Sequence, residues 1–420
     1  MKKMLALLLA LVMVFSLGAV AFADDAITLD VIISEYTSYT REWWDGVFIP
    51  QFEEANPDIK LNLEVVSWND LDAVVNTRIS TGQQPDILNF NAFADFVDDD
   101  LLMPAEEYAS EELQAKFFPD FWTANTMDGT VWALPILASA RSLFYNKDIL
   151  EAAGVEVPTT WAEVKDACEK IHEYDPEIIP WSLDISNDEG QAAFSYYTWN
   201  NGGGFIDADG NWILNCEENV EAMTFMKELI DAGYVWPEYA TATRYPQQDA
   251  FAAGSVAMII GPNGLYDIAA GVNFGVASIP ANEGKDPVNM GVCDVLMAFK
   301  DEDADEGRTE AISKFFDFFY DTDLYSEYMV YESFLPVTSD AAALLAENAE
   351  QFKKGGPDGG EGNSEYFANF NDVLASCEFY PTYKVEWSDV MVAVTAAEQQ
   401  IAEGADIQEA LDAAQAEIAG

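Results

Sequence analysis

The sequence predicts an α/β protein of two lobes, and three observations lead there. Residues 27–90 alternate strand, helix, strand, helix, strand, the order of a largely parallel sheet. Residues 131–161 then carry the chain through small residues out of one such unit and into another. The 420 residues are half hydrophobic and 13% aromatic, which is long enough for two domains and too apolar for disorder.

The first residues read as an export signal. Lys2 and Lys3 give a charged start, Met4 to Val20 an apolar stretch, and Ala21-Phe22-Ala23 a small-x-small cleavage site. Residues 1–23 are then the signal peptide, and Asp24 begins the mature chain. The apolar stretch is short for a membrane span, and acids follow it at once.

In the first unit, Ile27 to Ile33 is a strand and Ser34 to Tyr39 a polar, aromatic loop. Glu42 to Ala55 has helical spacing, with Trp43, Val47, Phe48 and Phe52 on its apolar face and Pro50 as an irregularity. Ile59 to Val66 alternates as a second strand, Leu71 to Ser80 is a helix closed by Thr81-Gly82, and Pro85 to Phe90 is a third strand. Asp95 to Tyr108 is an acidic surface run.

The crossing starts with Val131 to Leu137, a short apolar run whose proline suits a strand end or an extended segment. Ala138-Ser139-Ala140-Arg141 follows, then the β-prone Ser142 to Tyr145. Asn146 can cap a helix from Lys147 to Ala153 that Gly154 closes, and Thr160 and Glu163 stand at capping-box spacing for the next. Beyond it come a helix Trp161 to Glu173, an aromatic stretch Phe194 to Asn200, and a hairpin around Asp207-Ala208-Asp209-Gly210. Glu217 to Ala232 is an amphipathic helix, Val256 to Ile260 a strand, and Gly261 to Gly264 a turn. Phe274 to Pro280 is a further strand, Val292 to Phe299 an apolar run, and Asp305 to Tyr320 helical. Gln351 to Asn363 is glycine-rich and reads as a flexible surface loop; helices from Trp387 to Ala402 and Asp406 to Ile418 finish the chain.

Composition excludes several functions. A formal net charge of −56 leaves no clustered Lys and Arg for phosphate contacts, so nucleic acid is ruled out as a partner. The single histidine, His172, sits in an exposed helix, and there is no G-x-S-x-G elbow, which argues against Ser-His-Asp or Cys-His catalysis. Cys168, Cys216, Cys293 and Cys377 have no metal spacing and serve equally well as free thiols or a bridge. Asp301, Asp303 and Asp305 start like a calcium loop, but the glycine comes one place late and Ile312 stands where glutamate is needed. Gly202-Gly203-Gly204 lacks the lysine of a phosphate loop and reads as a turn. No metal and no cofactor is expected.

Several motifs resemble those of the family 1 extracellular solute-binding proteins, the sugar-binding subunits of ABC importers. They are "FEEANPDIKLNLEVV", "STGQQPDILNF", "ALP…YNKDILEAAGVEVPTTWAEV", "DAFAAGSVAMIIGPNG", "LPV" at Leu335-Pro336-Val337, and a C-terminal "G-x-x-x-x-E-A-L-D". Each is weak alone, but they stand in family order over nearly all of the mature chain. The resemblance implies a maltose-binding-protein-like type II periplasmic-binding-protein fold, with two α/β lobes and three hinge crossings near Leu137, Pro280 and Leu335. The first lobe would be residues 24–137 and 281–334, the second residues 138–280 and 335–420. It further implies a monomer that captures a di- or oligosaccharide between the lobes without catalysis and hands it to membrane permease subunits. The cysteine that anchors Gram-positive relatives as lipoproteins is missing at the cleavage site.

Ligands of open α/β lobes sit beyond the carboxyl ends of strands. That rule selects Glu35 and Tyr36 after the first strand, Trp68 after the second, Phe90 and Asn91 at the third, Ser139 and Arg141 at the crossing, and Asn263 and Tyr266 after the Val256 strand. The resemblance adds Tyr197, Trp199 and Trp387. Aromatic rings would stack on sugar faces while Glu, Asn and Arg bond hydroxyls; Trp43, Trp44 and Trp199 serve equally well as core. Two other functions stay open: a binder of a polyamine, peptide or polyol, which shares the fold, and a secreted glycosidase, which needs two essential carboxylates.

Overall fold

The computed structural model describes residues 26–187, 189–301, 307–356, 359–374 and 376–418. The signal peptide, and Asp303 and Asp305 of the calcium-like run, lie outside these residues.

Parallel pairing begins the sheet, as expected. β1 (Ile27–Glu35) pairs in parallel with β2 (Ile59–Ser67) along its whole length and with β3 (Ile87–Phe90) on its other side. A small hairpin of β4 (Thr126–Met127) and β5 (Thr130–Val131) leads into β6, Leu134–Asn146. The sheet is completed by β7 (Ile179–Trp181), β8 (Val256–Pro262), β9 (Phe274–Ala277), β10 (Asn289–Ala298) and β11 (Cys377–Phe379). Their order is β2-β1-β3-β10-β6-β8-β7, with β11 on β10 and β9 on β6.

β6 is one unbroken strand where the sequence suggested two. Ala138-Ser139-Ala140 stays extended because it is paired with Val292 and its neighbours on β10, while Ala138 and Leu335 exchange two hydrogen bonds of 2.9 Å on the opposite edge. The crossings at Leu137 and Leu335 therefore touch. After Pro280, whose carbonyl accepts a bond from Trp161 Nε1 at 3.2 Å, the chain runs back beside β6 as β10. β6 carries the chain one way and β10 carries it back, so the two are antiparallel and the sheet is mixed. A bulge interrupts their ladder between Asp294 and Val295. After Leu335 the chain lies against earlier residues: Phe118 N donates to Val337 O at 3.1 Å, and Lys116 pairs with Asp340 at 3.3 Å.

Local chemistry explains the helices. Asn146 caps Lys147–Ala153 through Asp148 N and Ile149 N, Gly154 takes the left-handed conformation at φ 67°, and Thr160 and Glu163 form the reciprocal capping box. Pro50, which lacks an amide donor, sits at the start of Ile49–Ala55, and the turn before it widens into a π-helix over Trp44–Phe48. Trp43, Trp44, Phe48 and Phe52 are buried in the larger core, where Trp44 stacks on Phe319 at 5.5 Å. The second core lies around Trp161, stacked on Phe225 at 4.4 Å, with Trp181, Phe194 and Phe205. All four cysteines are free.

The glycine-rich stretch expected to be a flexible loop is partly built. Lys353 bridges to Glu361, and Gly355 and Gly356 lie so close to the Tyr39 ring that a Cβ would not fit. Lys354 is also ion-paired with Asp267. These residues form a strap that ties the loop after β1 to the helix Leu265–Ile268.

Candidate functional site

The carboxyl ends of β1 and β2 bring aromatics together. The Tyr36 ring meets the edges of Trp68 and Phe334 at centroid distances of 5.8 and 5.0 Å. Its hydroxyl is buried without a hydrogen-bond partner among the described residues. Burial, and then the charge of Asp294, raise that phenol well above its ordinary range. Asp294 itself sits at the bulge of β10, opposite Leu137, and is buried. Desolvation pushes its carboxyl up to about 7, a rise that the charge of Arg141 only partly opposes. Glu35 is exposed, and Phe90 and Asn91 are half-buried, Phe90 against Phe96 at 5.9 Å. Nearby, Ser388 Oγ donates to the Asp95 carboxylate at 3.5 Å, joining the start of Trp387–Ala402 to the residues after β3.

On β6 the small residues give way to charge. Arg141 Nη1 donates to Ser139 Oγ at 3.3 Å, and its Nη2 donates to Glu189 Oε1 at 3.0 Å. Arg244 Nη1 donates to that same oxygen at 2.9 Å, and the Tyr196 hydroxyl reaches the other Glu189 oxygen at 3.5 Å. Burial alone would raise the Glu189 carboxyl; the two guanidiniums outweigh it and hold it below the usual range. The cluster borders a slot with Ser182, Asp184, Gln247 and Pro262 whose free space is about 30 Å³, room for one or two waters.

The other expected residues are placed differently. Asn263 is 1% exposed and holds the fold together: its Oδ1 accepts from Ala140 N at 3.0 Å, and its Nδ2 donates to Ser333 O and Tyr366 OH. Tyr266 packs on Phe274, Tyr366 and Phe370. The Tyr197 hydroxyl accepts from Trp181 Nε1 at 3.1 Å, and the ring edges onto Phe225. Trp199 and Trp387 are buried around Phe205 and Tyr380. The structure thus brings Tyr36 and Trp68 together, and Ser139 with Arg141, while Asn263, Tyr266, Tyr197, Trp199 and Trp387 make the contacts given above with residues of the fold.

The residues missed from sequence are Asp294, Glu189, Arg244 and Tyr196. Asp294 had a signal, a lone carboxylate inside the apolar run Val292 to Phe299. Arg244 had a weaker one, being one of only 19 Lys and Arg. Glu189, one of 75 acids, had none. Among the described residues, no group of three or more His, Cys, Asp and Glu could hold a metal ion.

A two-lobed α/β fold with polar and aromatic groups gathered where the chain crosses is the architecture of a binding protein. The chain belongs to the bacterial extracellular solute-binding protein family, which it matches over residues 37–324. It is 31% identical over 336 residues to a binding protein of Brucella abortus (strain 2308), covering 78% of this chain and 80% of that one. It is 30% identical over 237 residues to the maltotriose-binding protein of Pyrococcus abyssi, covering 53% of this chain and 48% of that one. Its fold is similar to that of the GacH receptor of Streptomyces glaucescens, solved unliganded and with acarbose, at a TM-score of 0.76, 19% identity, and coverage of 93% and 97%. Among the described residues, no helix is long and apolar enough to cross a membrane.

Proposed function

We propose that the protein is exported, captures a di- or oligosaccharide between its lobes as a monomer, and delivers it unchanged to the permease of an ABC importer. The observation that carries this reading is the row of groups along the crossing strands. Trp68, Tyr36 and Asp294 form one group, and Ser139, Arg141, Glu189, Arg244 and Tyr196 a second. Rings that present apolar faces beside buried acceptors and fixed donors match the alternating apolar and hydroxylated surfaces of a pyranose. The maltotriose and acarbose binders among its relatives support the same class. Glu35, Phe90 and Asn91 stand at the rim, and the lobes close about β6, β10 and Leu335.

The test is a thermal shift of the chain from Asp24 onward against neutral oligosaccharides, with polyamines, peptides and polyols alongside. A ligand held only by the folded state raises the melting temperature by mass action. A rise with one saccharide class, the sugar being recovered intact, is the expected result. A rise with polyamines alone would move the function to cationic solutes, and cleaved sugar would mean a glycosidase.

A further inference from the structure

Two arginines converging on one buried point are the usual means of holding an anionic group. Here the point is occupied from within. Arg141 Nη2 and Arg244 Nη1 both donate to Glu189 Oε1, at 3.0 and 2.9 Å. The side chains of Glu189 and Arg141 are only 8% and 12% exposed. The slot beside it has room for one or two waters, and the point on which the arginines converge is already taken by the Glu189 carboxylate. Ser139, the small residue at the crossing, steadies Arg141 from the other side.

We propose that Glu189 is a built-in anion, a specificity residue that fills a two-arginine site and so closes this wall of the binding site to anionic solutes. The inference deepens the carbohydrate reading and rests on the site it assigns. The solute it selects is uncharged: a neutral glycan enters, and a phosphorylated or acidic sugar is refused. Refusal has two sources. The arginines cannot turn to an incoming anion without stranding a buried carboxylate. The acidic surface, at −56 overall, repels anions before they arrive.

The experiment is chemical rescue. Glu189→Ala takes the shared carboxylate from the buried Arg141 and the partly exposed Arg244 and leaves a void the size of the lost carboxylate arm. The variant should melt several degrees lower than the wild type in chloride, and millimolar acetate at equal ionic strength should restore much of that loss. The wild type should respond to neither acetate nor inorganic phosphate. A second variant, Glu189→Ala with Arg244→Gln, removes one charge of each sign. It should be less dependent on acetate, and it keeps the test open if the single variant does not fold in chloride. The proposal is overturned if the wild type is itself shifted by acetate or phosphate, or if acetate has no effect on Glu189→Ala. It also fails if the double variant responds to acetate as strongly as the single one. A wild type that ignores every neutral saccharide would remove the carbohydrate reading while leaving the rescue result standing, so the two failures are distinct.

Discussion

Asp294 and Glu332 are buried carboxyls placed where water is scarce. Desolvation raises both, Asp294 from 3.8 and Glu332 from 4.5, each to about 7. Glu332 receives one hydrogen bond, from Thr37 Oγ1 at 2.8 Å, and its other oxygen has no partner among the described residues. The folded state therefore holds protons that the unfolded chain would release. The stabilisation from each group is fully present below its ordinary value near 4 and is lost as pH rises through about 7. Asp294→Asn and Glu332→Gln should each gain stability relative to wild type, on the order of a few kcal/mol at pH 8 and little at pH 4. Denaturant melts at the two pH values check this, and an equal effect at both would refute it. At this scale the sequence was only partly legible. Tyr36, Trp68, Ser139 and Arg141 follow from the rule that ligands sit at strand ends, because strand ends can be read from alternation. Asn263 obeys the same rule, but its bonds to Ser333 and Tyr366 could not be read, because those partners are distant in sequence.

Individual elements were more legible, since caps and periodicities are local. The capping box at Thr160, the glycine stop at Gly154 and the helix from Glu217 to Asp231 could all be read directly. The continuity of β6 could not, because a run such as Ala138-Ser139-Ala140 has no strong preference of its own and takes its shape from β10 and Leu335. Nor could the strap at Lys353–Gly356, since Gly355 and Gly356 lie against Tyr39, far along the chain. Gly355 has both Tyr39 and Tyr331 against it. Gly355→Ala should cost about 1–3 kcal/mol through overpacking and should speed amide exchange in the strap and in the loop after β1. Unchanged exchange in both would mean that the strap holds nothing.

For the whole molecule, the α/β class was legible from the order of elements, and the crossing paths were not, because β10 finds β6 and β3 only in three dimensions. With β6 and β10 paired as antiparallel strands, we expect closure as a bend along them near the bulge at Asp294. Adding the saccharide that raises the melting temperature should shrink the radius of gyration in solution scattering. An unchanged radius at saturation would mean capture without closure.

The position of β10 also fixes an order in time. β3 carries a bare edge at Ile87–Phe90 from the moment it forms, and the strand that covers it, Val295–Ala298, is made only after the whole excursion through β6, β7, β8 and β9. A chain that must wait for so distant a partner folds late and slowly. The sheet that completes the fold therefore cannot close until most of the chain is available.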